Sequence, residues 1–261
     1  VEELRRRKGR GLKPFALMAA SIEKIRTFCE IDQAELSLLE SPQRPIVLLR
    51  KKAAEVLAEG VAPFNRRLGV MLPYTPLHWL LLEEPSPFTA LIMTSANMAD
   101  EPIVIDDDDA FRRLGGVADF FLTHNRRILY RTDDSIVKIA GGRRQTWRRS
   151  RGYVPRPLPL PLDAPPILAC GALMKNTIAL TRGREVFISQ HLGDVDSREG
   201  LAFFEQTIEH LQRLLGVRPE MIVHDLHPGY LTTDYATRSP IPRKLAVQHH
   251  HAHIASCQLE Q

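Results

Sequence analysis

The chain has few cysteines and no long apolar run. Its three cysteines, Cys29, Cys170 and Cys257, form no CxxC pair, which argues against a disulfide framework and points to a reducing compartment. No stretch approaches the ~20 consecutive apolar residues of a membrane-spanning helix, and no signal peptide opens the chain. These absences predict a soluble, cytoplasmic protein.

The chain also lacks the features of natural protein ends. It opens at Val1 inside a helical pattern, with neither an initiator methionine nor a capping residue. It stops at Gln261 within another helical pattern. Both ends are therefore expected to be artificial.

The charge of the chain is only slightly unbalanced. Its 35 lysines and arginines exceed its 31 acidic residues by four, and the excess comes largely from clusters at 5–8 and 148–151. A small ligand that carries phosphate fits such clusters as well as a nucleic acid does. Charge alone leaves both partners open.

Length and proline distribution predict two domains. The 261 residues can bury one large core or two modest ones. Many of the 19 prolines crowd into residues 156–166, where alternating Pro and Leu suit an extended connector. We expect a first domain over residues 1–155, a linker over 156–166 and a second domain over 167–261.

Both predicted domains show an α/β pattern. The first is predicted to hold strands at 15–20, 45–50 and 89–96, helices at 21–30 and 106–114, and a hairpin with its turn at Gly141–Gly142. The second is predicted to hold a strand at 167–171, a hairpin turning at Gly183, a helix ending at Gly216, a strand at 221–225, a helix at 230–238 and a strand at 244–247.

A basic segment precedes the first predicted strand. Lys8, Arg10 and Lys13 stand close together with glycines between them. Their mutual repulsion is costly unless an anion is bound, and glycine lets backbone approach that anion. The segment therefore predicts an anion site, with a solvated basic helix end as the alternative.

A polar segment follows the predicted strand at 89–96. Thr94, Ser95 and Asn97 can hold phosphate oxygens or the water shell of Mg²⁺, and ligands of open α/β sheets bind at the carboxyl ends of strands. The alternative is a polar turn that caps the next helix.

Four histidines lie close together near the end of the chain. If the run opens a helix, His249 and His253 lie four residues apart on one face, where two imidazoles can share a metal ion. His250 and His251 then point elsewhere. Nitrogen ligands favour Zn²⁺ or Fe²⁺. The alternative is a surface tract with no ligand.

Several motifs resemble, in order, those of YrdC-type domains, and specifically the version within the HypF carbamoyltransferases. In the first half these are Lys8-x-Arg10 with Lys13-Pro14, Thr94-Ser95-Ala96-Asn97, Asp133-Asp134-Ser135 and Arg148-Arg149-Ser150-Arg151. In the second half they are Lys175-Asn176-Thr177, His224-Asp225-Leu226-His227-Pro228 and Gln248-His249-His250-His251-Ala252-His253.

The resemblance implies a fold and a reaction. It implies a YrdC-like twisted open α/β sheet domain whose amino-terminal part is missing, followed by the start of an actin-like (ASKHA) α/β transfer domain of the TsaD type. The first domain would join ATP and carbamate into carbamoyl-adenylate. The whole enzyme would draw carbamate from carbamoyl phosphate and pass the carbamoyl group to the C-terminal cysteine of HypE during [NiFe]-hydrogenase maturation.

The resemblance also assigns residues, none of them a catalytic nucleophile. ATP, its Mg²⁺ and carbamate would be bound in the first domain by Lys8, Arg10, Lys13, Thr94, Ser95, Asn97, and Arg148 or Arg151. Lys175, Asn176 and Thr177 would approach the nucleotide phosphates in the second domain. His249 and His253 would hold a divalent metal, Zn²⁺ or Fe²⁺, with further ligands beyond Gln261, so the fragment is not expected to complete the full reaction.

Two other functions stay open at this point. One is an O-carbamoyltransferase that acts on a small hydroxylated metabolite; CxxC zinc fingers would exclude it, and none lies in this chain. The other is a YrdC-type RNA-binding or tRNA-modification module. Aromatic residues among the basic ones would favour RNA, and apart from Phe15, Trp147 and Tyr153 they are scarce.

Overall fold

The protein consists of two compact units, each with its own sheet. The computed structural model describes residues 1–52, 57–83, 85–98 and 101–260. The first unit holds the residues up to Gly152 except the short segment 100–102, which belongs to the second unit together with Tyr153–Gln261. Among the described residues, no helix has the length and apolar character needed to cross a membrane.

The first unit is a mixed α/β sheet with helices. Its elements are α1 (Glu2–Arg7), β1 (Ala16–Met18), α2 (Ile22–Phe28), β2 (Cys29–Glu30), α3 (Gln33–Glu40), β3 (Ile46–Lys51), β4 (Arg67–Met71), α4 (Pro76–Leu82), β5 (Leu91–Met93), α5 (Asp107–Leu114), β6 (Ile136–Ala140) and β7 (Arg143–Arg148). The strand order is β5-β1-β4-β3-β6-β7, with β2 beside β3. The pairs β1/β4 and β3/β6 are parallel, and the other neighbours are antiparallel.

The alternation of apolar runs and helices correctly predicted the α/β class of this unit, but it did not predict α3, β4 or α4. Its core is formed by buried side chains such as Phe15, Leu17, Phe28, Val47 and Val70, each at most 2% exposed. Burial of such side chains stabilises a domain by roughly 25 cal/mol per Å² of apolar surface. The core fixes the start of β1, which the basic segment precedes.

The second unit is built on a second sheet. Its elements are β8 (Leu158–Ala164), β9 (Ile167–Ala169), β10 (Ala179–Ile188), α6 (Arg198–Leu215), β11 (Met221–Asp225), α7 (Leu231–Arg238), β12 (Arg243–Val247) and α8 (His249–Glu260). The sheet order is β12-β11-β9-β10-β8. Because β9, β11 and β12 are parallel, their carboxyl ends meet at one edge of the sheet.

The hairpin predicted at Gly183 is present. The backbone amide of Ser189 donates to the carbonyl of Ile178 (2.8 Å), so β10 doubles back on itself. Gly183 has a φ of +61°, which glycine adopts without strain. The predicted helix end at Gly216 is also confirmed, since that residue caps α6 in the left-handed conformation.

The proline-rich segment differs from the connector that we predicted. Residues Leu158–Ala164 are extended, but they form β8, which pairs antiparallel with β10 at the edge of the second sheet. Proline lacks an amide hydrogen, yet an edge strand leaves alternate amides unpaired and so tolerates it. Composition predicted the extended backbone and missed its strand partner.

Candidate functional site

A buried lysine lies at the centre of the polar residues of the first unit. Lys8 is only 4% exposed. Its ammonium donates to the carbonyl oxygen of Ser95 (2.6 Å), to Oγ1 of Thr94 (3.2 Å) and to Oδ1 of Asn97 (3.4 Å). The Ser95 hydroxyl also donates to Oδ1 of Asn97 (2.8 Å). The structure thus brings together four of the residues that the sequence singled out.

Strand topology explains this convergence. Because β5 runs antiparallel to β1, the segment that follows β5 lies beside the segment that precedes β1. The sequence predicted that these hydroxyls follow the carboxyl end of a strand, and they do. That end of β5 meets the amino end of its antiparallel neighbour β1.

The electrostatic environment of Lys8 makes its charge costly. Burial lowers the pKa of Lys8 to about 8, and the nearby charges of Arg10 and Lys13 act in the same direction. A bound anion would relieve both effects, since it favours the charged ammonium. The site is therefore prepared for a negatively charged ligand.

Arg10 extends the positive field next to Lys8. Its guanidinium donates to the carbonyls of Lys13 (3.1 Å) and Pro14 (2.6 Å) and lies 4.7 Å from the ring centre of Phe15. Burial lowers the pKa of Arg10, and the charges of Arg5 and Arg148 lower it further. Arg148 therefore belongs to the same electrostatic neighbourhood. Its guanidinium forms an ion pair with Asp133 (2.8 Å).

Arg151 lies in a different set of contacts. Its guanidinium donates to Asp134 (2.8 Å) and to the carbonyls of Gln43 (3.1 Å) and Arg44 (2.7 Å), and it stacks 3.4 Å above the ring centre of Tyr74. These partners join the end of β7 to the loop before β3. Of the two arginines proposed for the ligand, Arg148 is the one whose charge acts on the basic segment.

We expect Arg151→Ala to destabilise the first unit by about 2–3 kcal/mol, because Asp134 loses its ion-pair partner and the carbonyls of Gln43 and Arg44 lose the guanidinium as a donor. Both tryptophans, Trp79 and Trp147, lie in this unit, so tryptophan fluorescence during urea unfolding reports on it selectively. Arg143→Ala, an exposed arginine beside the hairpin turn, serves as the control and should change stability by less than about 0.5 kcal/mol. Equal stability of the two variants would contradict the claim that Arg151 stabilises the unit by joining the end of β7 to the loop before β3.

The loop after β9 lies at the carboxyl edge of the second sheet. Asn176 is 2% exposed, and its amide donates to the carbonyls of Cys170 and Ala172. Lys175 is exposed, adopts a φ of +49°, and its backbone amide donates to Asp194 (2.7 Å). Thr177 is half-buried. Of the three, Lys175 is therefore the one open to a phosphate, while Asn176 secures the loop.

Two histidines meet at the same edge, where α8 follows β12. Nε2 of His253 lies 3.1 Å from Nε2 of His249, with the rings nearly perpendicular. Nδ1 of His249 lies 2.6 Å from Oδ2 of Asp225, the buried last residue of β11. The prediction that both imidazoles share one helix face is confirmed. His250 and His251 are exposed.

Sequence reasoning missed the carboxylates of both sites. The motifs that resemble HypF include Asp133, Asp134 and Asp225, but sequence reasoning assigned these carboxylates no role. Burial alone would raise the pKa of Asp225, yet hydrogen bonds from His227 and His249 bring it below its ordinary value. The sequence did hold one signal for Asp225, because an acidic residue at the end of a predicted strand indicates a functional carboxylate.

Two family models match the chain. The Sua5/YciO/YrdC model, described as telomere recombination, matches residues 1–150, and the HypF Kae1-like domain matches residues 162–260. The HypF carbamoyltransferase of Rhizobium leguminosarum bv. viciae is 45% identical over 97% of this chain and 34% of its own length. That of Synechocystis sp. is 44% identical over 100% of this chain and 34% of its own length.

Solved structures agree with these relatives. Full-length HypF, in a phosphate- and nucleotide-bound form, is 45% identical with a TM-score of 0.94, over 99% of this chain and 41% of that one. HypF of T. kodakarensis is 40% identical with a TM-score of 0.92, over 99% of this chain and 34% of that one.

Fold and site together define a protein that joins a YrdC-type domain to a Kae1-like domain. The chain belongs to the HypF family of carbamoyltransferases. It spans about a third of the length of the curated relatives that it matches. These relatives do not favour a small-molecule O-carbamoyltransferase or an RNA-binding module.

Proposed function

We propose that this chain forms part of a carbamoyltransferase that matures [NiFe]-hydrogenases, with the adenylate-forming site in its first unit and part of the transfer site in its second. The observation that carries the proposal is the buried Lys8 among Thr94, Ser95 and Asn97. A phosphate- and nucleotide-bound form of a 45% identical HypF supports it. The ligands are ATP with Mg²⁺ and carbamate derived from carbamoyl phosphate.

The first step needs positioning and charge rather than a nucleophilic side chain. A carbamate oxygen attacks the α-phosphorus of ATP. The bond to the bridging oxygen breaks, and pyrophosphate leaves with the electron pair. Carbamoyl-adenylate remains. Arg10 and Arg148 would neutralise the charge that develops on the phosphates.

Lys8 can change partners during this step. All three ammonium hydrogens have acceptors within the protein, but the contacts to Thr94 (3.2 Å) and Asn97 (3.4 Å) are long beside that to the Ser95 carbonyl (2.6 Å). A phosphate oxygen can replace the contact to Thr94 or to Asn97, while the short bond to the Ser95 carbonyl holds the ammonium in place. The side chain that is replaced can then contact the nucleotide or the water shell of Mg²⁺.

The second step passes the carbamoyl group to a thiol, which we propose to be the C-terminal cysteine of HypE. The thiol gives its proton to solvent, and the sulfur attacks the carbamoyl carbon. The bond from that carbon to the phosphate oxygen breaks, so a thiocarbamate forms and AMP leaves. Lys175, exposed at the carboxyl edge of the second sheet, would meet the phosphate of the adenylate. His249 and His253 would act at the same edge.

The histidine pair fits a divalent metal such as Zn²⁺ or Fe²⁺. Their Nε2 atoms, 3.1 Å apart, are close to the separation of roughly 3.3 Å that two nitrogens have on a tetrahedral ion with bonds near 2.05 Å. Among the described residues, no group of three His, Cys, Asp or Glu side chains could hold such an ion. Further ligands would come from outside this part of the chain. When bound, the metal would polarise an oxygen of the adenylate.

A cytoplasmic setting is part of the proposal. Cys29, Cys170 and Cys257 are free thiols. Burial raises the pKa of Cys29 and of Cys170 to about 12, so neither is a reactive thiolate at neutral pH. Free thiols are typical of a reducing compartment.

The affinity for Mg-ATP should be constant below pH 8 and fall above it, by up to about tenfold per pH unit. Lys8, with a pKa of about 8, must regain its proton to face a phosphate above that pH, because the bound anion raises its pKa. Calorimetry from pH 7 to 10, in buffers of different ionisation enthalpy, measures both the affinity and the proton uptake. Lys8→Arg stays protonated and should remove the fall. An identical fall in both proteins would exclude Lys8 as its source.

A further inference from the structure

Asp225 holds His249 by a short contact between its carboxylate and the imidazole ring. One carboxylate oxygen, Oδ2, lies 2.6 Å from Nδ1 of His249. The other, Oδ1, accepts a hydrogen bond from the backbone amide of His227 (2.8 Å). The side chain of Asp225 is 5% exposed, whereas that of His249 is 49% exposed. A buried carboxylate thus supports an accessible imidazole.

The carboxylate itself is held in place by the end of β11 and the start of α7. The Asp225 carbonyl accepts from Oγ1 of Thr233 (3.1 Å), and the His227 amide fixes one carboxylate oxygen. Parallel pairing of β11 with β12 sets Asp225 opposite Val247, two residues before His249. The second oxygen therefore has a fixed position when His249 arrives.

This arrangement selects one tautomer of His249. An ionised carboxylate only accepts hydrogen bonds, so Nδ1 must carry the hydrogen and Nε2 must present its lone pair. That lone pair faces Nε2 of His253 (3.1 Å). Only an unprotonated nitrogen can bind a metal ion. The contact with Asp225 thus leaves free the nitrogen that the site requires.

We infer that Asp225 is a positioning residue that fixes the ring orientation and tautomer of His249, so that its Nε2 and that of His253 face one cation. The inference rests on the metal site of the proposed function. Asp225 itself touches neither cation nor substrate. Such outer partners commonly change metal affinity by about 10- to 100-fold.

Asp225→Asn is the sharpest test, because it keeps the shape and removes one acceptor. The single amide oxygen stays with the His227 backbone amide, which cannot change roles, so the NH₂ group faces Nδ1 of His249. Nδ1 then becomes an acceptor and the hydrogen moves to Nε2. We expect Zn²⁺ affinity, measured by NMR titration of the histidine side chains, to fall at least about tenfold. Asp234→Asn, a half-exposed carboxylate on α7 that pairs with Arg238, is the matched control and should leave the Zn²⁺ affinity unchanged.

A second measurement needs no metal. Long-range ¹H–¹⁵N spectra of the metal-free wild-type chain should show His249 with its hydrogen on Nδ1, and those of Asp225→Asn with its hydrogen on Nε2. A wild-type hydrogen on Nε2, or an unchanged tautomer and affinity in the variant, overturns the inference. If His249→Ala and His253→Ala both keep full Zn²⁺ affinity, the metal part of the proposed function fails. The tautomer spectra still test whether Asp225 fixes the tautomer of His249.

Discussion

Replacing Lys8 by alanine should weaken Mg-ATP binding by about 30-fold or more, which corresponds to about 2 kcal/mol lost with its charge-assisted bonds. Its ammonium contacts the Thr94 hydroxyl, the Ser95 carbonyl and the Asn97 amide oxygen. Calorimetry at pH 7, where Lys8 is charged, measures the loss.

Lys13→Ala is the matched control for this prediction. Lys13 is exposed and acts on Lys8 only through its charge, so its removal should cost a few-fold in affinity at most. Adding Arg10→Ala to Lys8→Ala should weaken binding further. Equal losses in Lys8→Ala and Lys13→Ala would mean that diffuse charge, and not the buried ammonium, binds the nucleotide.

Replacing His253 by alanine should lower Zn²⁺ affinity by about 30-fold or more, because one imidazole cannot replace two donors that share an ion. His249→Ala should have the same effect. The contact between the two Nε2 atoms supports this equivalence (3.1 Å). NMR titration of the chain with Zn²⁺ measures both variants.

His250 and His251 are the internal controls for the histidine pair. Both are exposed and follow His249 directly in the same helix, but they do not make its contacts with Asp225 and His253. Alanine at either site should leave Zn²⁺ affinity within about twofold of the wild-type value. A loss spread evenly over all four histidines would contradict the pair and indicate a nonspecific tract.

Local sequence patterns predicted the parts of each site that lie close together in sequence. The spacing of His249 and His253 predicted their contact, because residues four apart meet on one helix face. The density of Lys8, Arg10 and Lys13 predicted an anion site. The hydroxyls at 94–95 were assigned to a ligand site because they follow the carboxyl end of a predicted strand. Antiparallel pairing of β5 with β1 is what brings them to Lys8.

Contacts between distant segments were beyond local patterns. Asp225 meets His249 across 24 residues because β11 and β12 pair in parallel, with Asp225 opposite Val247. Arg151 meets the carbonyls of Gln43 and Arg44 across more than 100 residues. Neither contact is encoded within a single helix or strand. The sequence motifs alone therefore could not distinguish Arg148 from Arg151.

Carbamate-dependent exchange of pyrophosphate into ATP tests most directly whether the first unit makes an adenylate independently of the histidine pair. The chain should show this exchange, Lys8→Ala should lose it, and His253→Ala should keep it at the wild-type rate. Carbamate supplied directly removes any need for carbamoyl phosphate cleavage. Exchange that is lost in both variants, kept in both, or absent from the unaltered chain would contradict the assignment of adenylate formation to the Lys8 site.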